Sequence, residues 1–465
     1  MNVQQKKQSQ ELAAKHGTPV LIVDHEKLRQ NYFDFRERLP DMQAYFAVKA
    51  NSHSDIVKTM YDLGASFDVA SFREFMMVYN NIKHLPEKER QQYIWDNIIY
   101  ANTIKPASVL AKLNVYKPLV TFDNIEELKK IKKHAPDVRL VLRIRVPNTG
   151  SMVELSSKFG VEPGDAVDLM SEAINMGLGV EGISFHVGSQ CNNFENYSQA
   201  LMLCSSIFKE AELRGLDIGF IDKDGKKLKV LDIGGGFPAK YNAESKSFPM
   251  LARKLNSEIK RLFKGDVDVI AEPGRLIVAT ACTLVTKIIG KSVRDGKPCY
   301  YLDDGVYNTF SGQVYDHQSY PLHSFKDGEL KVCATFGPTC DAFDTISLSD
   351  ELPEDLEIGD LLYAENMGAY TTASSTFFNG FKPTKVISIN KYGPLDVCPC
   401  GSGKKFRDCG ALNTEEHKIS SAQKDTKGDI KVDAKDTKDT TDAREIKKID
   451  LKALGKDKDK EKVLK

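Results

Sequence analysis

A lysine stands where an apolar run near the start of the chain turns polar. Residues 45–51 read YFAVKAN, which is typical of a buried β-strand that ends close to Lys49. Burial lowers the pKa of a lysine, and this makes the amine available as a nucleophile for Schiff-base chemistry. The alternative is a long side chain that reaches solvent from the strand end. The segment by itself leaves both interpretations open.

Three consecutive glycines, Gly234, Gly235 and Gly236, follow another apolar run. Backbone amides without side chains can cradle a phosphate, and Arg275, after the next apolar run, would add positive charge there. The glycines do not match G-x-G-x-x-G followed by an acidic residue, so a dinucleotide site is not indicated. The alternative is a tight turn that requires positive φ angles.

Two further residues suit a flat, ring-shaped cofactor. A carboxylate at Glu272 would hydrogen-bond a ring nitrogen and keep it protonated; otherwise it is the partner of Arg143 in a buried ion pair. The ring of His186 would stack on the cofactor, or it is a satisfied core histidine. A buried lysine, a phosphate cradle and a carboxylate for a ring nitrogen together describe a pyridoxal phosphate site.

Apolar runs alternate with amphipathic helical patterns over the first part of the chain. The predicted strands are residues 44–51, 66–71, 98–102, 119–124, 140–146, 183–190, 230–237 and 269–275. This alternation indicates parallel strands joined by right-handed crossovers, and eight such units fit a (β/α)₈ barrel of the α/β class. Catalytic residues of such barrels lie at the carboxyl ends of the strands, which is where the candidates above are found.

The pattern changes after residue 277 to β-rich segments without intervening helices. We therefore predict a separate all-β domain and, after it, a short cysteine motif and a charged tail with too few apolar residues to fold. The predicted divisions are residues 1–23 as a segment joining the β-domain, 24–277 as the barrel, 278–393 as the β-domain, 394–412 as the cysteine motif and 413–465 as a disordered tail.

Composition narrows the class of protein. The chain has 65 basic and 65 acidic residues, so no overall field favours nucleic acid or a membrane surface. No apolar run is long enough to span a membrane, and the amino terminus lacks the apolar core of a secretory signal. Nine cysteines without framework spacing fit a reducing compartment. We expect a soluble, cytoplasmic protein.

A set of short segments occurs in a fixed order between residues 19 and 391. They include YFAVKAN, FDVAS, IIYAN, KFG, FHVGSQ, LDIGGGFP, AEPGR, DDGVYNTF, YDH, GPTCDAFD, MGAYT and FNGF. In this order they resemble the eukaryotic-type ornithine decarboxylases, within the alanine-racemase-like group of basic amino-acid decarboxylases. The resemblance implies pyridoxal 5′-phosphate as cofactor, and conversion of L-ornithine to putrescine, a polyamine, and CO₂.

The resemblance also implies roles for individual residues. Lys49 would hold the cofactor covalently, with Asp68 and Glu74 nearby. His186 would stack on its ring, Glu272 would pair with the ring nitrogen, and Arg143 would lie near the phenolic oxygen. The phosphate would be bound by Ser189, Gly234, Gly235, Gly236, Arg275 and Tyr370.

The family resemblance implies a homodimer whose active sites are shared between subunits. Cys340 would reach across the interface as the acid that reprotonates the substrate carbon, although small buried cysteines are the usual alternative. Asp341 and Asp316 would receive the distal ammonium of a basic amino acid. The implied substrate site also includes Tyr307, Tyr315 and Phe378.

The choice of substrate is open between ornithine and lysine. Asp341 stands where diaminopimelate decarboxylases carry glutamate, and Asp316 in YDH is the ornithine-type residue. Lysine is one methylene longer than ornithine, which is worth only about 1–3 kcal/mol of discrimination. A lysine or dual-specificity decarboxylase is therefore an alternative. A catalytically inactive regulatory homologue is a further one, which the presence of Lys49, Glu272 and Cys340 disfavours.

Three cysteines lie close together near the end of the chain. Cys398, Cys400 and Cys409 resemble the zinc-binding SEC-C module, which carries a Cys or His directly after its third cysteine, where Gly410 stands here. His417 is a candidate fourth ligand. A zinc site would dock a protein partner for the tail; the alternative is a linker that binds no metal.

Overall fold

The chain begins with helix α1 (Val3–His16) and strand β1 (Val20–Asp24). The computed structural model describes residues 1–241, 245–393, 396–398 and 403–405. The predicted tail, 413–465, and most of the predicted cysteine motif, 394–412, lie outside the described residues. Within the described part, the predicted fold class is confirmed: a parallel barrel is followed by a mostly β second domain.

Eight parallel strands form the barrel, and β10 closes it by pairing with both β9 and β2. The strands are β2 (Met42–Ala47), β3 (Ser66–Val69), β4 (Ile98–Tyr100), β5 (Leu119–Phe122), β6 (Arg139–Arg143), β7 (Val180–Ser184), β9 (Lys227–Asp232) and β10 (Val267–Ala271), with the short β8 (Phe220–Ile221) antiparallel to β9. Successive side chains of a strand point to opposite faces. In β2, for example, Tyr45 belongs to a small buried cluster with Ile99, Val141 and Ile270, and Phe46 belongs to the main core.

Helices cover the outside of the barrel. They are α2 (His25–Arg38), α3 (Ser54–Asp62), α4 (Phe72–Ile82), α5 (Glu87–Asn97), α6 (Ala107–Tyr116), α7 (Ile125–His134), α8 (Ala166–Asn175), α9 (Glu195–Leu213), α10 (Phe248–Leu262) and α11 (Arg275–Val278). Side chains cap several of these helices; Ser71, for instance, accepts a hydrogen bond from the Glu74 N–H at the start of α4. Among the described helices, none is both long and apolar enough to cross a membrane.

The second domain is an eight-stranded sheet that also includes the start of the chain. Its strands are β1, β11 (Cys282–Arg294), β12 (Lys297–Leu302), β13 (Leu322–Ser324), β14 (Leu330–Phe336), β15 (Thr345–Pro353), β16 (Leu361–Ala364) and β17 (Lys385–Ile389), and the short helix α12 (Gly312–Tyr315) lies between β12 and β13. Strand β1 lies between β11, which is antiparallel to it, and β17, which is parallel. The segment that precedes the barrel therefore shares a sheet with the segment that follows it.

The barrel strands end earlier than the sequence predicts. Strand β2 stops at Ala47, and residues 48–50 form a 3₁₀ turn; β7 stops at Ser184, before a loop in which Gly188 has a φ of +91°. The apolar residues beyond these ends are buried all the same, as Val48 and Val187 show. These residues are apolar because they are buried at the barrel mouth, although they lie beyond the strands. An apolar run by itself therefore predicts a strand that is too long.

Candidate active site

Lys49 lies in the turn that follows β2 at the mouth of the barrel. Its ammonium group pairs with the carboxylate of Asp68, which is completely buried on the adjacent strand β3. Burial by itself lowers the pKa of Lys49, but the negative charges of Asp68 and Glu272 outweigh burial, so its pKa is raised. The lowered pKa that burial predicts for Lys49 is therefore wrong. The acids around Lys49, which a strand pattern does not reveal, are the reason.

Glu272 and Asp232 form a buried pair of acids beside Lys49, at the ends of β10 and β9. Burial, and after it the negative charges of Asp232 and Asp68, raise the pKa of Glu272 well above its usual range. Burial, and after it the charge of Asp68, raise the pKa of Asp232 to about 7. Asp232 Oδ1 accepts a hydrogen bond from the Gly234 N–H at 2.9 Å. One oxygen of Glu272 is buried and has no hydrogen-bond partner among the described residues. Asp232 was not predicted, although an acid at the end of an apolar strand is a usable signal.

Glu74 and Arg143 flank these acids. The Glu74 carboxylate accepts a hydrogen bond from the Ala70 N–H at 2.7 Å, and burial raises its pKa. The Arg143 guanidinium lies at the end of β6, 5.2 Å from the centre of the Phe159 ring, and burial lowers its pKa. The described structure contains no direct ion pair between Arg143 and Glu272, so the ion-pair alternative is not what the geometry shows.

His186 lies in the loop after β7. Its Nδ1 accepts a hydrogen bond from the Gly188 N–H at 3.0 Å, so in the neutral ring the proton is on Nε2. Burial, and after it the positive charges of Arg143 and Lys49, lower the pKa of His186 well below its usual value. A neutral, flat ring at this position suits stacking and does not suit ion pairing.

The glycine loop after β9 leaves no room for side chains. Gly234 and Gly236 have φ angles of +62° and +97°, and a Cβ on Gly236 would lie 2.5 Å from the Gly188 carbonyl oxygen. A Cβ on Gly235 would lie 3.0 Å from His186 Nε2. The tight turn with positive φ angles, which was the alternative to a phosphate cradle, is therefore present in the structure. The same turn also keeps space open beside His186. That space, here the glycine-side cavity, has a volume of about 20 Å³ and is lined by Lys49, His186, Ser189, Gly235, Gly236, Glu272, Arg275 and Tyr370, among others.

Arg275 lies at the far side of this cavity, in contact with residues of both domains. One guanidinium nitrogen donates to Ser189 Oγ at 2.8 Å and pairs with the Asp316 carboxylate; the other donates to Tyr241 Oη at 3.0 Å. The guanidinium carbon lies 4.9 Å from the centre of the Tyr370 ring. Its Nε is buried without a hydrogen-bond partner among the described residues. The contacts of Tyr241 and Asp316 with this arginine were not predicted.

A second cavity adjoins the first and shares Lys49, His186 and Glu272 with it. This Arg143-side cavity has a volume of about 260 Å³. The residues that complete its lining are Arg143, Ala70, Ala101, Asn102, Thr103, Leu155 and Phe159. The lysine therefore stands between an anion-binding side and a wider space with apolar walls. Such an arrangement can hold a phosphate-bearing aromatic ring and leave room for a second molecule beside Lys49.

Several predicted substrate residues form a different cluster, on the surface of the β-domain. Asp341 accepts a hydrogen bond from Tyr307 Oη at 2.5 Å, and the rings of Tyr307 and Phe378 stack at 4.2 Å. Cys340 is exposed, and its Sγ lies 3.5 Å from Asn379 Oδ1. The alternative that Cys340 is a small buried residue is therefore excluded. Neither Cys340 nor Asp341 lines the two cavities, and Tyr315 is 60% exposed.

The residues at the barrel mouth fit pyridoxal phosphate. The glycine loop and Arg275 provide room and positive charge for a phosphate, and the buried oxygen of Glu272 provides an acceptor for a protonated ring nitrogen. Lys49 lies between them in both cavities.

Of the three predicted zinc ligands, only Cys398 is described; it is buried, and its N–H donates to the Lys404 carbonyl oxygen at 2.8 Å. Cys400 and Cys409 lie outside the described residues.

Comparison with known families gives two matches. Residues 25–279 match the pyridoxal-binding domain of the pyridoxal-dependent decarboxylases, which is more than half of the chain. Residues 396–409 match the SEC-C motif.

Individual proteins are similar over most of the chain. A lysine/ornithine decarboxylase from Selenomonas ruminantium is 38% identical over 81% of this chain and 90% of its own length. Antizyme inhibitor 2 from Xenopus laevis is 37% identical over 78% of this chain and 79% of its own. Several relatives described as ornithine decarboxylases are 32–34% identical. The structure of a lysine/ornithine decarboxylase from Vibrio vulnificus, complexed with putrescine, superposes with a TM-score of 0.75 at 33% identity, covering 84% of this chain and all of that one.

Proposed function

Because the chain belongs to the pyridoxal-dependent decarboxylases, we propose that it converts L-ornithine to putrescine and CO₂ in a site completed by a second copy of the chain. Its cofactor is pyridoxal 5′-phosphate. The observation that carries the proposal is the position of Asp341, a half-buried carboxylate fixed by Tyr307 and adjacent to the exposed Cys340. A carboxylate held away from the cofactor site selects a substrate with a second cationic end.

Residues at the barrel mouth would bind the cofactor at both of the cofactor's ends. Lys49 would hold it covalently, after losing its proton to the acids nearby. Ser189, the glycine loop, Arg275 and Tyr370 would bind the phosphate. When bound, the cofactor supplies the electron sink that decarboxylation requires.

The ring would be held by groups whose protonation the site controls. The Glu272 carboxylate would accept a hydrogen bond from the ring nitrogen and keep that nitrogen protonated. Asp232, with a pKa raised to about 7, would share the proton that Glu272 gives up. The neutral imidazole of His186 would lie against one face of the ring, and Asp68, Glu74 and Arg143 would complete the surrounding charges.

A homodimer would bring the surface cluster to the barrel mouth. Large aromatic side chains are exposed around Cys340, with Phe343, Phe377 and Phe381 at 57%, 69% and 39% exposure. Several exposed aromatic side chains in one region are typical of an interaction site. A second copy docked there would place Cys340 and Asp341 beside the partner barrel, where none of the described residues that line the two cavities is a cysteine.

In the shared site, Cys340 would hold the proton at Sγ that returns to the substrate carbon after CO₂ leaves. Asp341 would receive the distal ammonium, and Tyr307, which lowers the pKa of Asp341 by hydrogen bonding, would keep that carboxylate charged. Asp316 would provide a second negative charge for the ammonium from its position beside Arg275. Tyr315 and Phe378 would flank the substrate chain.

Lysine is the second candidate substrate. Two of the similar proteins above are described as lysine/ornithine decarboxylases, and one additional methylene changes binding by only about 1–3 kcal/mol. The similarity to an antizyme inhibitor supports the alternative of a catalytically inactive regulatory homologue. The presence of Lys49, Glu272 and Cys340 argues against that alternative.

A product assay tests the proposal. Purified protein with added cofactor is given ornithine, lysine, arginine and diaminopimelate separately, and the amines are quantified. We expect putrescine from ornithine at the highest kcat/KM, with cadaverine from lysine as the next product. No amine from any of the four would favour the regulatory alternative, and a preference for arginine or diaminopimelate would contradict the roles given to Asp316 and Asp341.

A further inference from the structure

Asn51, two residues after Lys49, joins the lysine turn to a loop of the β-domain. Its side chain is 3% exposed, and Nδ2 donates to the carbonyl oxygen of Gly368 at 2.9 Å. Its Oδ1 accepts a hydrogen bond from the His53 N–H at 3.2 Å, which orients the amide at the start of α3. A second hydrogen bond has its donor in the β-domain: the Tyr370 N–H donates to the Ala50 carbonyl oxygen at 2.9 Å. Two hydrogen bonds therefore tie residues 50–51 to residues 368–370.

The loop on the other side of this contact has little freedom to move away from the barrel. A Cβ on Gly368 would lie 1.7 Å from the Val278 carbonyl oxygen, so the backbone packs directly against the end of α11. Tyr370 has a φ of +54°, in the left-handed region that a bulky residue adopts only when its surroundings hold it there. The Thr371 hydroxyl donates to the Met367 carbonyl oxygen at 2.6 Å and closes the loop on itself.

This contact sets the separation of two groups that would bind opposite ends of the cofactor. Lys49 precedes the contact on the barrel side. Tyr370, whose ring lies 4.9 Å from the Arg275 guanidinium carbon, follows it on the β-domain side. A ligand that binds at two points gains affinity when the two points are held at the spacing it needs. A ligand that binds at one point gains nothing from that spacing.

We infer that Asn51 is a positioning residue that fixes the distance between Lys49 and the Tyr370 loop, so that pyridoxal phosphate can engage both at once. The inference rests on the proposed roles of Lys49 and Tyr370. Asn51 does not line either cavity and acts only through its hydrogen bond to Gly368. It therefore differs from the residues that touch the cofactor.

Three probes separate positioning from direct binding. Pyridoxal 5′-phosphate engages both points, pyridoxal has the aldehyde without the phosphate, and 4′-deoxypyridoxine 5′-phosphate has the phosphate without the aldehyde. Dissociation constants of the three are measured by absorbance or calorimetry on the full-length wild type and on Asn51→Ala and Asn51→Asp. The aspartate variant keeps the shape and the acceptor for His53 but replaces the donor to Gly368.

A matched control comes from the other end of the barrel. The Asn97 amide oxygen accepts a hydrogen bond from Ser66 Oγ at 2.9 Å, so Asn97→Ala also removes an amide contact between two elements. Borohydride reduction of the wild type with pyridoxal 5′-phosphate, followed by peptide mass spectrometry, reports separately whether the cofactor is on Lys49. Thermal unfolding of each variant reports whether it is folded.

In both Asn51 variants we expect affinity for pyridoxal 5′-phosphate to fall about tenfold, as for the loss of one buried hydrogen bond. Affinity for each single-point probe should change less than about twofold, and Asn97→Ala should bind all three probes like the wild type. Equal weakening of all three probes, or no change in any, would overturn the inference. If the wild type does not fix the cofactor on Lys49, the proposed function itself fails, and that result is distinct from the two others.

Discussion

The Arg275 guanidinium and the Asp316 carboxylate form an ion pair in which the two side chains are only 4% and 7% exposed. Arg275 begins the helix after the last barrel strand, and Asp316 follows α12 of the second domain. The pair therefore joins the two domains beside the glycine-side cavity. In the proposed site, Arg275 binds the phosphate of the cofactor and Asp316 receives the ammonium group of the substrate. The ion pair therefore links cofactor binding to substrate binding.

Removal of the Asp316 carboxylate should destabilise the protein and make it more dependent on its cofactor. Asp316→Ala leaves a buried guanidinium without its counter-ion, for which we expect a loss of about 3 kcal/mol in the free energy of unfolding. Added pyridoxal 5′-phosphate should recover more stability in this variant than in the wild type, because the phosphate replaces the missing charge. Urea unfolding with and without cofactor measures both effects.

The control for Asp316 is an exposed ion pair of the same domain. Glu354 pairs with Lys331 on the surface of the β-domain, and Glu354→Ala should cost about 1 kcal/mol or less. If Asp316→Ala costs no more than Glu354→Ala, the pair does not join the domains in the way described.

Neutralising Glu272 should slow catalysis without releasing the cofactor. Glu272→Gln keeps the size of the side chain but no longer holds a charge against a protonated ring nitrogen, so we expect kcat for ornithine to fall roughly 100-fold. The fraction of Lys49 labelled by borohydride reduction should stay near that of the wild type. Glu181→Gln, at the start of β7 and paired with Arg139 at 3.1 Å, is the buried control and should leave kcat unchanged. A normal kcat in Glu272→Gln would refute the role given to that residue.

Asp232 should give the cofactor-free protein a distinctive pH dependence. Its pKa is raised from 3.8 to about 7 by burial and by the charge of Asp68, so between about pH 4 and 7 the folded protein keeps a proton that the unfolded chain has lost. The free energy of unfolding therefore falls as the pH rises through this window, by up to about 1.4 kcal/mol per pH unit. Asp232→Asn removes this contribution, so the variant should gain stability relative to the wild type from pH 5 to pH 7. Parallel pH profiles in urea unfolding would contradict the raised pKa.

The cysteine motif predicts a zinc site that is separate from catalysis. Protein purified without chelator should contain about one zinc per chain, because three thiolates and one further ligand make a closed tetrahedral site. Cys400→Ser should lower the zinc content and leave decarboxylation unchanged. Elemental analysis of both proteins is the measurement, and equal zinc content in the two would show that the motif binds none.

Residues at strand ends could be predicted because their positions follow from local pattern. Lys49, His186 and the glycines each follow an apolar run, and parallel barrel strands bring such ends together whatever the details of packing. The family resemblance supplied Cys340 and Asp341, which no local pattern would have selected from the β-domain.

Contacts between side chains from distant elements could not be predicted. The raised pKa of Lys49 depends on acids contributed by two other strands, and the pairing of Arg275 with Asp316 depends on how the domains dock. The hydrogen bond from Asn51 to Gly368 joins residues 317 positions apart. Strand periodicity contains no information about such contacts, because they form only when the complete chain is packed.

Mixing two inactive variants tests the shared site most directly. In a heterodimer of Lys49→Ala and Cys340→Ala chains, one of the two sites combines an intact Lys49 with an intact Cys340 from the other chain. Random exchange of equal amounts makes half of the dimers heterodimers, so we predict recovery of about a quarter of the wild-type rate of putrescine formation from ornithine. Each variant alone should stay nearly inactive. Absence of recovery, with heterodimers confirmed by native mass spectrometry, would contradict a site built from two chains.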